Sequence, residues 1–324
     1  MRSSLACALA ASLGSLPVSS AAGVFPDSAF SNKASGTTGA AFLKIPTGSR
    51  AQALAGSYSA AADGAEAMFW NPAGLARMEE QGLSELGFGY SALLESSYAS
   101  ALAFAKPLAP QARGVFGAAF TYFSQSSIQG YNTVGDPADS FTPNDLCLAV
   151  AYAGRMRNVN LGAGTKFLRS KLADASGMTF AVDLGIQIQR VADVGEGPID
   201  FGLSLLNLGP AIQTGSMADP LPMKVQAGML WNISPRIRFM LDGHLPVDHD
   251  PYPSMGLEGH LPVGDGMRAS ARAGMQFRDR DDIGGLAGLA AGAGLDMKRF
   301  RFDYAWVPYG DLGNTHRISG GWRF

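Results

Sequence analysis

The sequence predicts an all-β fold: a fourteen-stranded antiparallel transmembrane β-barrel with an N-terminal plug of short helices and turns. Three observations carry this prediction. Charged residues make up 16% of the 324 residues, whereas soluble domains have about 25%. No apolar run approaches the roughly 18 residues that a membrane helix needs. After residue 83, segments of about ten residues alternate between apolar and polar side chains, which is typical of strands that cross a membrane.

Residues 1–22 have the features of a secretory signal peptide. Arg2 supplies a positive start, residues 5–18 form a short apolar segment, and residues 19–22 supply small side chains for cleavage. We therefore expect the mature chain to begin outside the cytoplasm. Cys7 would leave with the signal peptide, and Cys147 alone could form neither an internal disulfide nor a thiolate zinc site.

Residues 23–82 lack the alternation and predict a lead-in followed by a plug in the lumen. Residues 42–80 contain short runs of helix-forming residues, and residues 69–76 read Phe-Trp-Asn-Pro-Ala-Gly-Leu-Ala. Asparagine before proline is typical of a turn. This segment is either a structural helix and turn or a gate in the lumen. The candidate hatch residues are Phe69, Trp70, Asn71, Pro72, Ala73 and Gly74.

Residues 83–324 predict the barrel. Residues 179–190 are the clearest case, with Phe180, Val182 and Leu184 on one face and Asp183 and Gln187 on the other. Bacterial single-chain barrels have an even number of strands, and the alternation predicts fourteen. The predicted strands are 84–94, 97–107, 113–125, 144–154, 157–169, 177–190, 198–208, 222–233, 235–246, 253–262, 267–278, 286–295, 299–309 and 315–324.

The connections between these strands alternate between long and short. Residues 126–143 and 209–221 form long connections, whereas residues 155–156 form a short one. Outer-membrane barrels place long loops outside the cell and short turns in the periplasm. The loop at 126–143 carries Tyr131 and Phe141, which are the candidate residues for docking another protein.

Charged residues collect on the polar face of the predicted strands. Both signs are interleaved, so the lumen has no single-sign field for selecting solutes. This pattern favours ion pairs that rigidify the barrel and fix the plug over a charged, solute-selecting lumen. The candidate lumen charges are Asp183, Asp200, Asp242, Arg236, Arg238, Arg268, Arg272 and Asp303, and Lys166, Lys224, Glu258, Arg317 and Arg323 share their face.

The sequence contains no catalytic or metal-binding constellation. Two Gly-His-Leu-Pro-Val segments place His244 and His260 on adjacent strands, but roughly 13 Å apart at the rise of a strand, which is too far to share a metal ion. The net charge of −2 argues against a nucleic-acid-binding surface. We expect no enzymatic activity, no cofactor, no metal and no nucleic-acid partner.

The last predicted strand carries a second targeting feature. Ile318, Trp322 and Phe324 alternate with polar or small residues, and the sequence ends on the aromatic residue. This pattern resembles the assembly signal of bacterial outer-membrane barrels. We therefore expect the outer membrane as the location, and outer-membrane lipid and the barrel-assembly machinery as partners.

Five segments carry a resemblance to a known family: 42–76, 198–212, 219–229, 256–277 and 301–324. They resemble the PorV/PorQ family of outer-membrane proteins, which is related to FadL-type transport barrels. The resemblance implies a fourteen-stranded barrel whose hatch lies around Asn71, Pro72 and Ala73. PorV-type proteins act in type IX secretion, where they deliver or hold secreted surface proteins. FadL-type proteins pass long hydrophobic molecules inward.

Two functions remain open at this stage, beside a purely structural role. An export partner would hold a secreted surface protein on apolar patches of the outer loops. A passive transporter would bind a hydrophobic small molecule in an apolar pocket beside the plug, near Met68, Phe69 and Trp70.

Overall fold

Fourteen antiparallel strands form a closed barrel in the computed structural model, which describes residues 25–108, 113–195, 197–264, 266–278, 284 and 286–324. Each barrel strand pairs with the next along the chain, and the first pairs with the last. The predicted signal peptide lies outside the described residues. In chain order the strands are β1 (Glu85–Ala92), β2 (Tyr98–Pro107), β3 (Val115–Ser124), β4 (Ile128–Tyr131), β5 (Pro137–Phe141), β6 (Asn144–Met156), β7 (Val159–Leu172), β8 (Ala175–Val194), β9 (Gly197–Leu208), β10 (Ile212–Thr214), β11 (Met217–Asp219), β12 (Lys224–Ser234), β13 (Ile237–Pro246), β14 (Tyr252–Gly264), β15 (Met267–Gln276), β16 (Leu289–Met297), β17 (Phe300–Pro308) and β18 (Asn314–Arg323).

The barrel confirms the predicted fold class. All fourteen predicted membrane strands are present, and their ends agree with the predicted ends to within about four residues. The hairpins β4–β5 and β10–β11 were not predicted, and they lie within the predicted loops 126–143 and 209–221. Their strands of three to five residues are too short to show the alternation of a membrane strand.

The two ends of the barrel differ in the length of their connections. The turn end carries the short turns 157–158, 235–236 and 298–299. The loop end carries the long connections 125–143 and 209–223 together with both hairpins. In outer-membrane barrels this asymmetry assigns the turn end to the periplasm and the loop end to the cell exterior.

The alternation in the sequence corresponds to the two faces of the wall. On β8, Phe180 and Leu184 are exposed on the outside of the barrel, whereas Ala181, Asp183 and Gln187 are buried. An apolar outer face is what a strand in contact with lipid requires. None of the helices in the described residues has the length and hydropathy needed to span a membrane.

The lumen contains a plug of short helices. They are α1 (Ser49–Ala53) and two 3-10 helices, Ala65–Phe69 and Pro72–Met78. Leu54, Tyr58 and Leu75 are fully buried in the plug core. Two further 3-10 helices, Asn32–Ala34 and Ala41–Lys44, belong to the lead-in, and a fifth, Gly310–Leu312, lies in a loop.

The lead-in runs along the loop end before the chain enters the lumen. The backbone nitrogen of Phe30 donates to the carbonyl oxygen of Val247 at 2.6 Å, and that of Gly39 donates to Pro220 at 3.0 Å. At the other end of the plug, the Ser84 nitrogen donates to the carbonyl oxygen of Phe324 at 2.9 Å. Residues 25–84 therefore cross the lumen from the loop end to the turn end.

Candidate functional site

Asn71 connects the plug to the barrel wall. Its Oδ1 accepts a hydrogen bond from the Ala73 nitrogen at 3.1 Å and so caps the helix that Pro72 begins. Its Nδ2 lies 3.1 Å from the carbonyl oxygen of Ile186 on β8 and 3.3 Å from that of Leu203 on β9. The predicted turn therefore exists, and its asparagine acts both as a helix cap and as a contact to two strands.

Two glycines of the wall leave room for the close approach of the plug. A Cβ atom added at Gly185 would overlap Oδ1 of Asn71, and one added at Gly202 would overlap the backbone carbonyl group of Ser59. The absence of a side chain at these two positions lets plug backbone and wall backbone come into contact. The position of the plug thus depends on glycines in the strands as well as on its own residues.

We expect Gly202→Ala to destabilise the seated plug by about 1–3 kcal/mol, because the added methyl group meets rigid backbone. Gly243→Ala is the matched control, since its nearest neighbour would lie at 3.9 Å, an ordinary contact distance. Protease sensitivity of the plug in detergent-purified protein measures the effect. Equal protease resistance of the two variants would contradict this account.

A buried cluster of ion pairs fixes the plug to the opposite side of the wall. Arg50 of α1 makes a two-point ion pair with Glu258 of β14, at 2.8 and 2.9 Å. The same guanidinium donates to both carboxylate oxygens of Asp63 at 3.0 Å. Glu258 is fully buried and also accepts a hydrogen bond from Arg272 of β15 at 2.7 Å. Two-point pairs of this kind combine strength with a fixed geometry.

The cluster continues across β15, β17 and β1. Arg272 donates to Asp303 at 2.6 Å, and Arg301 lies 3.3 Å from Asp303. Arg301 also lies 3.5 Å from Glu66 of the plug and 3.7 Å from Glu85 at the start of β1. Opposite charges therefore alternate from plug to wall, and the loss of one carboxylate would leave several buried guanidinium groups with fewer partners.

Two carboxyl groups of the plug have opposite pKa shifts. Burial raises the pKa of Asp63, but the charges of Arg50 and Arg301 outweigh burial and hold this pKa well below its usual range. Burial also raises the pKa of Glu66, and there it outweighs the charge of Arg301, with Asp303 adding to the rise. Desolvation therefore sets the direction of the pKa shift at Glu66, whereas the summed effect of the opposite charges sets it at Asp63.

We expect the plug to stay seated as the pH falls from about 7 to about 4. Because the pKa of Asp63 is lowered, its contribution is complete above the ordinary value of about 3.9 and is lost only at lower pH. Because the pKa of Glu66 is raised, its protonation favours the seated plug as the pH falls. Ion conductance in planar bilayers tests this, and a reversible rise in conductance between pH 6 and 4 would contradict it.

On the β8–β9 side, Arg77 supplies a further connection between plug and wall. Its guanidinium lies 2.9 Å from Oε1 of Gln187 and 3.1 Å from Oδ2 of Asp200, and it also donates to the carbonyl oxygen of Ala60 at 2.8 Å. The plug is thus held by charged or amide side chains on both sides of the lumen.

Most predicted lumen charges lie inside the barrel. Asp183 pairs with Lys166 at 2.7 Å, and Asp242 accepts a hydrogen bond from the Ser59 nitrogen at 2.9 Å. Arg317 donates to the plug residue Gln52. These contacts support the predicted network of structural ion pairs and hydrogen bonds. The buried members of the predicted set are Asp183, Asp200, Asp242, Arg272 and Asp303.

The three other predicted arginines lie at or near the turn end. Arg238 is partly exposed and lies 3.7 Å from Glu258. The Arg268 side chain is 49% exposed and pairs with Asp296 at 3.1 Å. The lumen prediction for Arg236 is wrong, because this residue is exposed in the turn before Ile237, where β13 begins. Turn residues do not follow the pleat, so alternation does not fix their direction.

The predicted lumen charges did not include several members of the cluster, in the plug and in the wall. Arg50 and Glu66 occur in a segment without alternation, and Glu85 is the first residue of β1. Arg301 alternates with Phe300 and Phe302 on β17, and this pattern could have placed it among the lumen charges.

A cavity of about 330 Å³ lies on the loop side of the plug. Phe69 and Trp70 line it together with the lead-in residues Phe42 and Ile45. The Trp70 indole donates to the carbonyl oxygen of Thr47 at 2.7 Å. A pocket of this size that joins aromatic and aliphatic side chains with a few polar groups has the properties of a small-molecule site.

The predicted docking residues lie on the hairpin β4–β5. Tyr131 is 66% exposed, and Phe141 is partly exposed on the paired strand. The residues of the predicted assembly signal, Ile318, Trp322 and Phe324, are exposed on or beside the outer face of β18. The position of Tyr131 and Phe141 agrees with a loop surface. The exposure of Ile318, Trp322 and Phe324 agrees with a strand that faces lipid.

The two histidines lie farther apart than predicted, because His244 pairs with Tyr252, eight residues before His260 on β14, which is roughly 26 Å at the rise of a strand. His244 is hydrogen-bonded to Ser254 at 2.7 Å, and His260 to Ser270 at 2.9 Å. The described residues contain no group of three potential metal-ligating side chains.

Comparisons with known proteins agree with the barrel fold. A family model described as type IX secretion system protein PorV matches residues 28–229. No curated protein matches the chain by sequence.

Solved structures of FadL-type transporters have a similar fold. The toluene transporter TodX of Pseudomonas putida is 10% identical, with a TM-score of 0.58 over 84% of this chain and 96% of its own. The toluene transporter TbuX of Ralstonia pickettii is 12% identical, with a TM-score of 0.55 over 85% and 97%. A FadL homologue of Pseudomonas aeruginosa is 10% identical, with a TM-score of 0.50 over 86% and 98%.

Proposed function

Because the chain belongs to the PorV family of type IX secretion system proteins, we propose that it holds or delivers secreted surface proteins as a plugged, non-enzymatic outer-membrane barrel. The observation that carries this proposal is the plug that lies inside the lumen and is bound to its wall. Arg50 fixes the plug to β14, and Arg77 and Asn71 fix it to β9 and β8. A lumen filled in this way supports a binding partner better than a wide aqueous channel.

The organisation of the chain follows from this role. Residues 1–22 direct export and are removed, residues 23–82 form the lead-in and plug, and residues 83–324 form the barrel. Ile318, Trp322 and Phe324 are the residues that the barrel-assembly machinery recognises, and outer-membrane lipid then surrounds the wall. The exposure of these three side chains supports both contacts.

The hairpin β4–β5 supplies the docking surface for an exported protein. Tyr131 and Phe141 bring aromatic area to a loop that projects from the loop end. Aromatic side chains of this kind carry much of the binding energy at protein interfaces. The variant Tyr131→Ala/Phe141→Ala is therefore expected to reduce the amount of protein attached to the surface of the producing cell.

Leu261→Ala is the control for this experiment. Leu261 is 63% exposed, so its replacement also removes exposed apolar area, but near the turn end. Surface proteins are quantified on intact cells at equal barrel abundance. Unchanged attachment in the double variant, or an equal loss in the control, would overturn the assignment to β4–β5.

A second function is favoured by the cavity beside the plug. A passive transporter of hydrophobic small molecules would bind its ligand against Phe69 and Trp70, and the similar structures TodX and TbuX are toluene transporters. Trp70→Ala is then expected to lower uptake, whereas Trp231→Ala, which replaces a partly exposed tryptophan on β12, is not. Unaltered uptake of every tested lipid-like compound by Trp70→Ala would count against transport.

A further inference from the structure

The turn end of the barrel carries positive charges that neither the plug nor the hairpin β4–β5 uses. They lie in or next to the connections β2–β3, β6–β7, β12–β13 and β16–β17, so they are spread around the barrel rather than gathered at one point. All are exposed. We call this set the basic ring; its members are Lys106, Arg113, Arg157, Arg236, Lys298 and Arg299.

The basic ring has no carboxylate partners among the residues that the structure describes, within the 4.0 Å limit for an ion pair. The other two turns at this end contain Glu196 and Asp265, which lie outside the described residues. Other arginines of the same end do have partners: Arg155 pairs with Glu80, Arg190 with Asp193 and Arg268 with Asp296. Three carboxylates of this end, Glu80, Asp193 and Asp296, are thus already neutralised by arginines outside the ring. The positive charges of the ring therefore remain available to attract an external anion.

The loop end has the opposite sign. Its exposed cations in the described residues include Lys33 and Lys171, and they are outnumbered by exposed carboxylates. Separated charge of this kind creates a field that extends over about 8–10 Å at physiological salt and attracts a partner of opposite sign to one end. Among the described residues, the exposed carboxylates of the loop end are Asp27, Glu95, Asp136, Asp139, Asp174, Asp250 and Asp311.

The placement of the ring favours a partner in the aqueous phase. Five of its six members lie in turns, beyond the last residue of the preceding strand, and only Lys106 lies within a strand. Lipid headgroups surround the wall, whereas turns protrude past it into water. We propose that the basic ring is a docking surface for an acidic segment of a periplasmic protein. This inference goes beyond the export role and does not rest on it.

Binding of poly-L-glutamate tests the proposal. The barrel is placed in nanodiscs of phosphatidylcholine, and fluorescence anisotropy follows binding of the labelled peptide at low and at physiological salt. The wild-type barrel is expected to bind, and to bind more weakly as salt screens the ring. Arg236→Glu/Arg299→Glu is expected to bind roughly tenfold more weakly, because it reverses two charges of the surface.

The matched control is Lys33→Glu/Lys171→Glu, which changes the net charge equally at the loop end. It is expected to bind within about twofold of the wild type, since its substitutions lie at the other end of the barrel. Heat-dependent gel mobility verifies the folded barrel, and Arg157→Glu/Arg236→Glu replaces the first variant should that one not fold.

Three results would overturn the proposal. The first is no binding of poly-L-glutamate by the wild-type barrel. The second is an equal loss of binding in variant and control. The third is phosphatidylglycerol that co-purifies with the wild type but not with Arg236→Glu/Arg299→Glu, in the absence of poly-L-glutamate binding, and this result would assign the ring to lipid headgroups.

Discussion

Glu258→Gln is expected to release the plug from one side of the wall and to raise the ion conductance of the barrel. Glu258 binds Arg50 at two points and Arg272 at 2.7 Å, and its side chain is fully buried. An amide has the same shape but no charge, so two buried guanidinium groups lose their shared counter-ion. Removing one partner of a buried ion pair costs about 3–5 kcal/mol.

Asp296→Asn is the control for this substitution. Asp296 also pairs with an arginine, but that side chain, Arg268, is 49% exposed. An exposed pair contributes less than about 1 kcal/mol. Conductance in planar bilayers and protease sensitivity of the plug are measured for both variants. A Glu258→Gln barrel that is as closed and as resistant as Asp296→Asn would show that the cluster does not fix the plug.

Asn71→Asp is expected to detach the hatch from β8 and β9. The amide nitrogen of Asn71 donates to carbonyl oxygens of Ser59, Ile186 and Leu203 at 2.9–3.3 Å. A carboxylate has no hydrogen to donate there when ionised, and its charge would face three carbonyl oxygens. Leaving such buried groups without partners costs about 1–3 kcal/mol, and more when a charge is involved.

Asn158→Asp is the matched control for the hatch. Asn158 is exposed and donates one hydrogen bond, to the Gln189 carbonyl oxygen at 3.2 Å. Hydrogen exchange of the plug amides is compared between the two variants. We expect faster exchange over residues 59–78 in Asn71→Asp alone. Equal exchange in the two variants would mean that Asn71 does not hold the hatch.

The strands could be predicted because lipid imposes a simple pattern on them. Phe180 and Leu184 face lipid, whereas Asp183 and Gln187 are buried inside the barrel. The alternation of apolar and polar residues in the sequence reflects this difference. The hatch turn could be located from Asn71 and Pro72 because their local chemistry fixes a helix start.

Other features depend on contacts that no local pattern contains. Arg50 and Glu258 are 208 positions apart, and their pairing follows from the closure of the barrel around the plug. Gly202 is one of 41 glycines, and its special position depends on the plug backbone that touches it. Arg236 was misplaced because the strand pattern was extended into a turn.

Native mass spectrometry of the barrel, extracted gently from its own outer membrane, tests the central claim most directly. A plugged member of the PorV family that holds exported proteins should appear with a large protein bound at a defined stoichiometry. A barrel that carries only a lipid-sized mass would contradict the export role and would assign the cavity beside Trp70 to transport.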